Sequence, residues 1–424
     1  MAVNRRVGKE QQMTETVTSP SPGTSDGGDA LRSWLAENRR KHRVLWDEQT
    51  RSCQVFGFAE TQAMLRDPET FSSDFSRLIP APQSPVEVAP GERPVPNLLK
   101  GHLSVTDPPR HRKLRNLVSQ ALTPRAVSDL EGKITEITAG LLDAMEGRDE
   151  VEMVSGFFNP LPVTVIAELL GVPAEDHAMF RGWADSLVSA NHDAGAVDAA
   201  RLQVPEEMAG LLLEMESYIL DHAARRRREP SDDVLSRLVA AEVDGESLDE
   251  SEVFVITLML LLAGHISTTL LLGNALVCLD DNPRALATLR EDPAAIPGAL
   301  EEVLRHSPPA PLAYRLTTRE TTLGGVDIPA DVMVASWVMS ANHDERQFAD
   351  AEAFDIGRTP NPHLSFGHGI HFCIGAPLGR MEARIALSML LERCPEPRLA
   401  EPPVYYDSPT IFGVKRLVLS GLTA

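Results

Sequence analysis

The stretch "SFGHGIHFCIG", Ser365 to Gly375, sets one cysteine among three glycines, two histidines and two phenylalanines. The other cysteines, Cys53, Cys278 and Cys394, are distant in sequence, and none of the four lies in a CxxC. A lone cysteine is usually a small buried hydrophobe, so the surrounding loop must carry any other reading. A thiolate needs N–H donors or positive charge nearby. A helix is expected to begin near Ala376, and its free amides and dipole favour negative charge at Cys373. Gly367 and Gly369 permit a tight turn, while Gly375 removes a side chain where a flat group could approach. With one cysteine, and His371 too close in sequence to be a tetrahedral partner, zinc is disfavoured.

The rest of the chain limits what such a sulfur can serve. It has 424 residues, 43% hydrophobic and 24% charged, enough for a large core. A net charge of −21 argues against general nucleic-acid binding, which needs clustered Lys and Arg. Residues 1–28 are rich in Ser, Thr, Gly and Pro, with a basic cluster Arg5, Arg6 and Lys9, and read as a disordered tail without an apolar signal region. Reduced thiols and a cytoplasmic location follow from cysteine usage. Val253 to Val277 contains no Lys, Arg, Asp or Glu and is long enough to span a bilayer. Its acidic flanks and the polar group Gly264, His265, Ser267, Thr268 and Thr269 argue instead for a central helix buried in protein.

Hydrophobic periodicity places a helix after Asp29, an expected N-cap, then two short strands and a helix near Ala59–Arg66. Leu78 to Pro96 is proline-rich and reads as a long functional loop. Helices dominate from Pro109, including one from Arg125 to Glu146 and one ending at Gly171. Strand-like pieces lie between Tyr314 and Ser336, a last helix covers Ala376–Arg393, and the C-terminal segment reads as β structure. The expected architecture is one mainly α domain, residues 29–424, with a minor β part.

A single thiolate facing a large planar group suits an axial haem ligand. "FGHGIHFCIG", Phe366 to Gly375, resembles the cysteine-loop signature of cytochromes P450, F-G-x-G-x-H-x-C-x-G, with every fixed position filled. "EEVLR" supplies Glu302 and Arg305 as an E-x-x-R, which alone is usually a solvated helix face. Its position between the apolar helix and the cysteine loop, and "FDIGR" ending at Arg358, match the family's structural Glu–Arg–Arg triad. "HLSVTDPPRHRKLR", His102 to Arg115, is similar to the D-P-P-x-H-x-x-x-R stretch of bacterial members. The resemblance covers Asp29 to Ala424. It implies haem b (iron protoporphyrin IX) with Cys373 as thiolate ligand, contacts from Phe366 and Gly375, and His111, Arg115, Arg315 and His371 at the propionates, where charge-assisted donors are needed.

The same resemblance makes the apolar helix the one crossing the distal face, where the family carries A-G-x-(D/E)-T. Here Ala263 and Gly264 are present, Ile266 fills the acid position and Ser267 the hydroxyl position. Ala263 and Ser267 are four apart and share a face. An offset of one residue would make Thr268 the relevant hydroxyl. The "AGHISTTLLLGN" wording also resembles polyketide-tailoring members, a group that does not always keep the acid–hydroxyl pair.

These resemblances imply a monooxygenase that inserts one oxygen atom from O2 into a C–H bond or alkene of a small-molecule secondary metabolite, a macrolide or other polyketide in antibiotic biosynthesis. Another natural product or a xenobiotic is the alternative substrate. Leu99, Leu103, Ile266, Leu312, Ala313 and Ile411 are the expected pocket walls. The expected partners are a ferredoxin and an NAD(P)H-dependent ferredoxin reductase, docking near Arg110, Arg112 and Lys113. A monomer with no nucleic acid and no membrane is expected. Rival readings are a non-catalytic haem carrier, a cysteine hydrolase, which would need His and Asn or Asp around Cys373, and a membrane protein built on Val253–Val277.

Overall fold

The computed structural model describes residues 27–48, 50–78, 95–193, 206–394, 396–408 and 410–420. The expected tail up to residue 26 and the loop at 79–94 lie outside the described residues. Among them are fourteen α-helices and fourteen strands of two to five residues, so the fold is mainly α with a minor β part.

The long helix Glu250–Asp281 is the axis of the molecule. Its start is fixed by a capping box: Asp249 Oδ1 accepts from Glu252 N (2.9 Å), and Glu252 Oε2 accepts from Asp249 N (3.1 Å). Glu252 also pairs with Arg110, tying this end to the helix Arg110–Ala121. The helix is the one among the described residues long and apolar enough to cross a membrane. It is nevertheless enclosed by the helices Pro160–Leu170, His177–Asp193, Glu206–Arg228 and Ala376–Arg393. Val253, Phe254, Ile256 and Leu261 are fully buried against them, so protein takes the place a lipid would occupy.

Helix Pro160–Leu170 shows how closely this core packs. Pro160 starts it, and Gly171, at φ +70°, ends it in the left-handed conformation. Where it crosses the long helix, a Cβ on Gly264 would lie 2.6 Å from Ile166 Cδ1. Gly264 therefore serves helix contact, facing Ile166.

A five-stranded sheet flanks the helical body in the order Val44–Asp47, Ser52–Val55, Met333–Ser336, Ala313–Thr317, Phe71–Ser72. Only the Ser52–Val55 and Met333–Ser336 pair is parallel. Val334 stands opposite both Cys53 and Arg315, which fixes the height of Arg315 on the sheet.

Several sequence expectations are corrected. The first helix begins at Gly27, not after Asp29, so Asp29 sits in its first turn and is not its N-cap. The single helix expected over Arg125–Glu146 is two, Pro124–Ser128, which Thr123 caps through Ala126 N (3.1 Å), and Glu131–Asp143. Leu103 and Leu312, expected as pocket walls, are both buried, each within a hydrophobic cluster of the core.

Candidate active site

The cysteine loop is shaped by two left-handed glycines, Gly367 at φ +73° and Gly369 at φ +69°. Cys373 N donates to Phe366 O (2.8 Å), which closes the loop and aims the side chain outward. Gly369 has a second reason to be glycine, because a Cβ there would meet Leu65 O at 2.7 Å. Gly369→Ala is therefore expected to cost about 1–3 kcal/mol, combining a left-handed backbone with a contact against rigid main chain. Denaturant unfolding tests this, and unchanged stability would contradict the tight loop.

Cys373 is exposed, unlike the three buried cysteines. Protein surrounds its sulfur closely enough that desolvation raises the thiol pKa, although the residue is exposed. The N–H groups of Gly375 and Ala376, at the start of helix Ala376–Arg393, and the charges of Arg115 and Arg380 act in the opposite direction. Gly375 leaves the approach open, since a Cβ there would stand 4.0 Å from the sulfur.

Four cationic or titratable side chains converge beside this sulfur. His111 and Arg115 come from helix Arg110–Ala121, Arg315 from the sheet, and His371 from the loop itself. The His111 and His371 rings are 4.3 Å apart, and His371 Nε2 is 3.1 Å from Ser73 Oγ. His371 is pushed down to about 3 by burial and by Arg315, His111 and Arg115. Burial lowers Arg315 to about 10 and also lowers Arg115. His111 Nε2 is buried without a hydrogen-bond partner. The carboxylate that acts on His111 and Arg315 is Asp107, which bonds Ser72 Oγ and Ser73 N (3.0 Å). Such a cluster, two arginines and two histidines facing one carboxylate with a buried ring nitrogen unpartnered, fits a flat cofactor that brings two carboxylates of its own.

On the long helix, Ala263 and Ser267 are exposed in the middle of an otherwise buried segment, with Ile266 half-buried between them. Ser267 Oγ donates to Ala263 O (2.7 Å), so the two mark one notch. Thr268, the alternative hydroxyl, is buried and hydrogen-bonds Glu382 on the helix Ala376–Arg393. Leu99, Ala313 and Ile411 are half-buried.

Behind the loop, the E-x-x-R is fully buried, not a solvated face. Arg305 Nε and Nη2 donate to the two Glu302 oxygens at 2.8 Å, and Arg305 also donates to Asn342 O, Ala351 O and Ala353 O. Arg358 Nε donates to Glu302 Oε2 (3.2 Å), completing the three-residue cluster. Sequence reasoning missed the neighbouring link. Glu301 takes two bonds from Arg380 (2.7 and 2.8 Å) and one from His363, and Arg380 stacks on Phe366 at 4.3 Å from its ring centre. The doubled acid "EE" at 301–302 was its only signal. Of the suggested docking cations, Arg110 and Lys113 are engaged by Glu252 and Glu246, which leaves Arg112 exposed.

An accessible thiol at a helix start thus lies beside a cluster of basic side chains and near a notched apolar helix. The family model for cytochrome P450 matches residues 60–396, and the chain belongs to that family. It is 44% identical over 381 residues to erythromycin C-12 hydroxylase of Saccharopolyspora erythraea, covering 89% of this chain and 90% of that one. Identity to cyclomarin C epoxidase CymV of Salinispora arenicola is 40% over 393 residues, covering 92% and 96%. Among solved structures, the open form of cytochrome P450 Eryk from S. erythraea superposes with a TM-score of 0.82 at 41% identity, covering 93% and 96%. The protein is a P450 monooxygenase, and family membership implies haem b with cysteine-thiolate ligation.

Proposed function

We propose that Cys373 is the thiolate ligand and that His111, Arg115, Arg315 and His371 bind the haem propionates. The carrying observation is the exposed sulfur under the Gly375 and Ala376 N–H groups, beside basic side chains that include His111, whose Nε2 is buried without a partner. When bound, the haem supplies the reduction of O2 and the transfer of one oxygen atom to substrate. The chain's own part is positional. The two N–H groups hold negative charge at Sγ, the His111–His371 cluster fixes the cofactor's edge, and Phe366 with Arg380 braces the loop. Ser267 and Ala263 offer the polar notch facing substrate and O2, while Ile266, Leu99, Ala313 and Ile411 supply apolar wall.

The substrate class we propose is a macrolide or other polyketide, tailored by hydroxylation or epoxidation during antibiotic biosynthesis. The relation to erythromycin C-12 hydroxylase supports this. A ferredoxin and its NAD(P)H-dependent reductase deliver electrons to a cytoplasmic monomer. The test is a spin-state screen of macrolides, other polyketides and cyclic peptides, followed by turnover under 18O2 with a ferredoxin and reductase. A polyketide should shift the spectrum and gain one labelled oxygen. A shift and turnover confined to peptides would overturn the substrate class.

A further inference from the structure

A cavity of about 720 Å3 opens between the first helix, Gly27–Lys41, and the C-terminal end of the long helix. No residue of the cysteine loop or of the Ala263–Ser267 notch lines it, and its volume falls within the range of small-molecule sites. Two helices end there, the long helix at Asp281 and the helix Ile296–His306. A helix C-terminus carries partial negative charge that a cation relieves. The end at His306 has its cation. Arg32 donates to His306 O (2.9 Å) and Ser307 Oγ (2.7 Å), with its guanidinium carbon 5.3 Å from the centre of the Phe412 ring. The end of the long helix has the reverse: its last turn holds no basic residue and two exposed acids, Asp280 and Asp281. Burial and Asp280 raise the pKa of Asp281, and Asp29 on the first helix acts in the same direction. Two other carboxylates on the wall, Glu352 and Glu401, are paired with Arg39 and Arg416. Among the described residues, Asp29, Asp280 and Asp281 have no ion-pair partner.

Two further observations select the chemistry of a ligand. Among the described residues no three acidic, histidine or cysteine side chains stand close enough together to hold a metal ion, so the three aspartates do not converge on a point charge. Tyr405 and Phe412, with ring centres 5.5 Å apart, line the same cavity and offer apolar and π surface to a hydrocarbon stem. We propose that this cavity binds an extended aliphatic polyamine. One ammonium group lies at Asp280, Asp281 and the last carbonyls of the long helix, a second lies at Asp29, and the methylene spacer runs along Tyr405 and Phe412. The ligand thereby supplies the long helix with the terminal cation its own last turn lacks, and bridges it to the first helix. No bond is made or broken, and the site stands independently of the haem-thiolate reading.

The experiment is calorimetric titration of the full-length holoenzyme at low ionic strength with spermidine, and with magnesium chloride as the point-charge control. Spermidine should bind saturably and magnesium far more weakly, and added salt should weaken the spermidine complex. Replacing both Asp280→Asn and Asp281→Asn should weaken spermidine binding about tenfold, the combined worth of two exposed ion pairs. Asp29→Asn alone should weaken it by less. Saturating the protein with imidazole, which ligates haem iron, should leave the titration unchanged. If the double variant does not fold, Asp29→Asn and the imidazole titration decide. Absence of saturable spermidine binding, magnesium binding as tightly as spermidine, unchanged affinity in the folded variants, or displacement of spermidine by imidazole each overturns the proposal.

Discussion

Cys373→Ser is expected to abolish monooxygenation and thiolate-type absorption while leaving the fold intact. The separation is possible because the side chain at 373 is exposed and the loop is closed by main-chain bonds, chiefly Cys373 N to Phe366 O at 2.8 Å. Serine keeps those bonds. It loses the polarisable sulfur whose electron donation favours O–O cleavage. The donor groups of His111, Arg115, Arg315 and His371 remain, so some haem binding should persist without thiolate character. Circular dichroism and the reduced carbon monoxide spectrum measured on one sample check both halves. A serine variant that still turns over substrate would contradict the assignment.

The second large effect is on stability. Glu302→Ala should destabilise the fold by about 3–5 kcal/mol, because it strands the buried guanidinium of Arg305 without its counter-charge. Arg305 has no exposed surface, so water cannot replace the carboxylate. The same substitution removes an acceptor from Arg358, from Asp355 N (2.8 Å) and from Asn361 Nδ2 (3.1 Å), so the stretch leading into the cysteine loop loosens with it. Denaturant unfolding of Glu302→Ala, Arg305→Ala and the double variant tests this. The double variant should cost clearly less than the sum of the singles. A loss below about 1 kcal/mol for Glu302→Ala would mean that the cluster is not a structural keystone.

The cysteine loop was legible because its requirements are local. Gly367 and Gly369 take backbone angles that side chains resist, and Cys373 needs the amides of the helix that follows it immediately. The E-x-x-R spacing was legible too, but its burial was not, since an acid–base pair at that spacing reads equally well as a solvated face. Helix phase was the main obscurity. "HISTT" offers hydroxyls all round the helix, and only the neighbouring helices decide that Ser267 meets the notch while Thr268 meets Glu382. Glu382 itself was hidden in "GRMEAR", where flanking arginines suggest a charged surface; in the fold those arginines turn to Glu301 and Glu131 and leave the acid inside. The burial of Leu103 and Leu312 was hidden for a similar reason, because being apolar does not say which cluster a side chain joins.

The central claim, iron held by the sulfur of Cys373, is tested most directly by the spectrum of the reduced holoenzyme under carbon monoxide. The expected result is the strongly red-shifted Soret band of thiolate ligation, present in wild type and absent from Cys373→Ser. A wild-type protein loaded with haem that shows the band of neutral histidine ligation, or a Cys373→Ser spectrum identical to wild type, would contradict it.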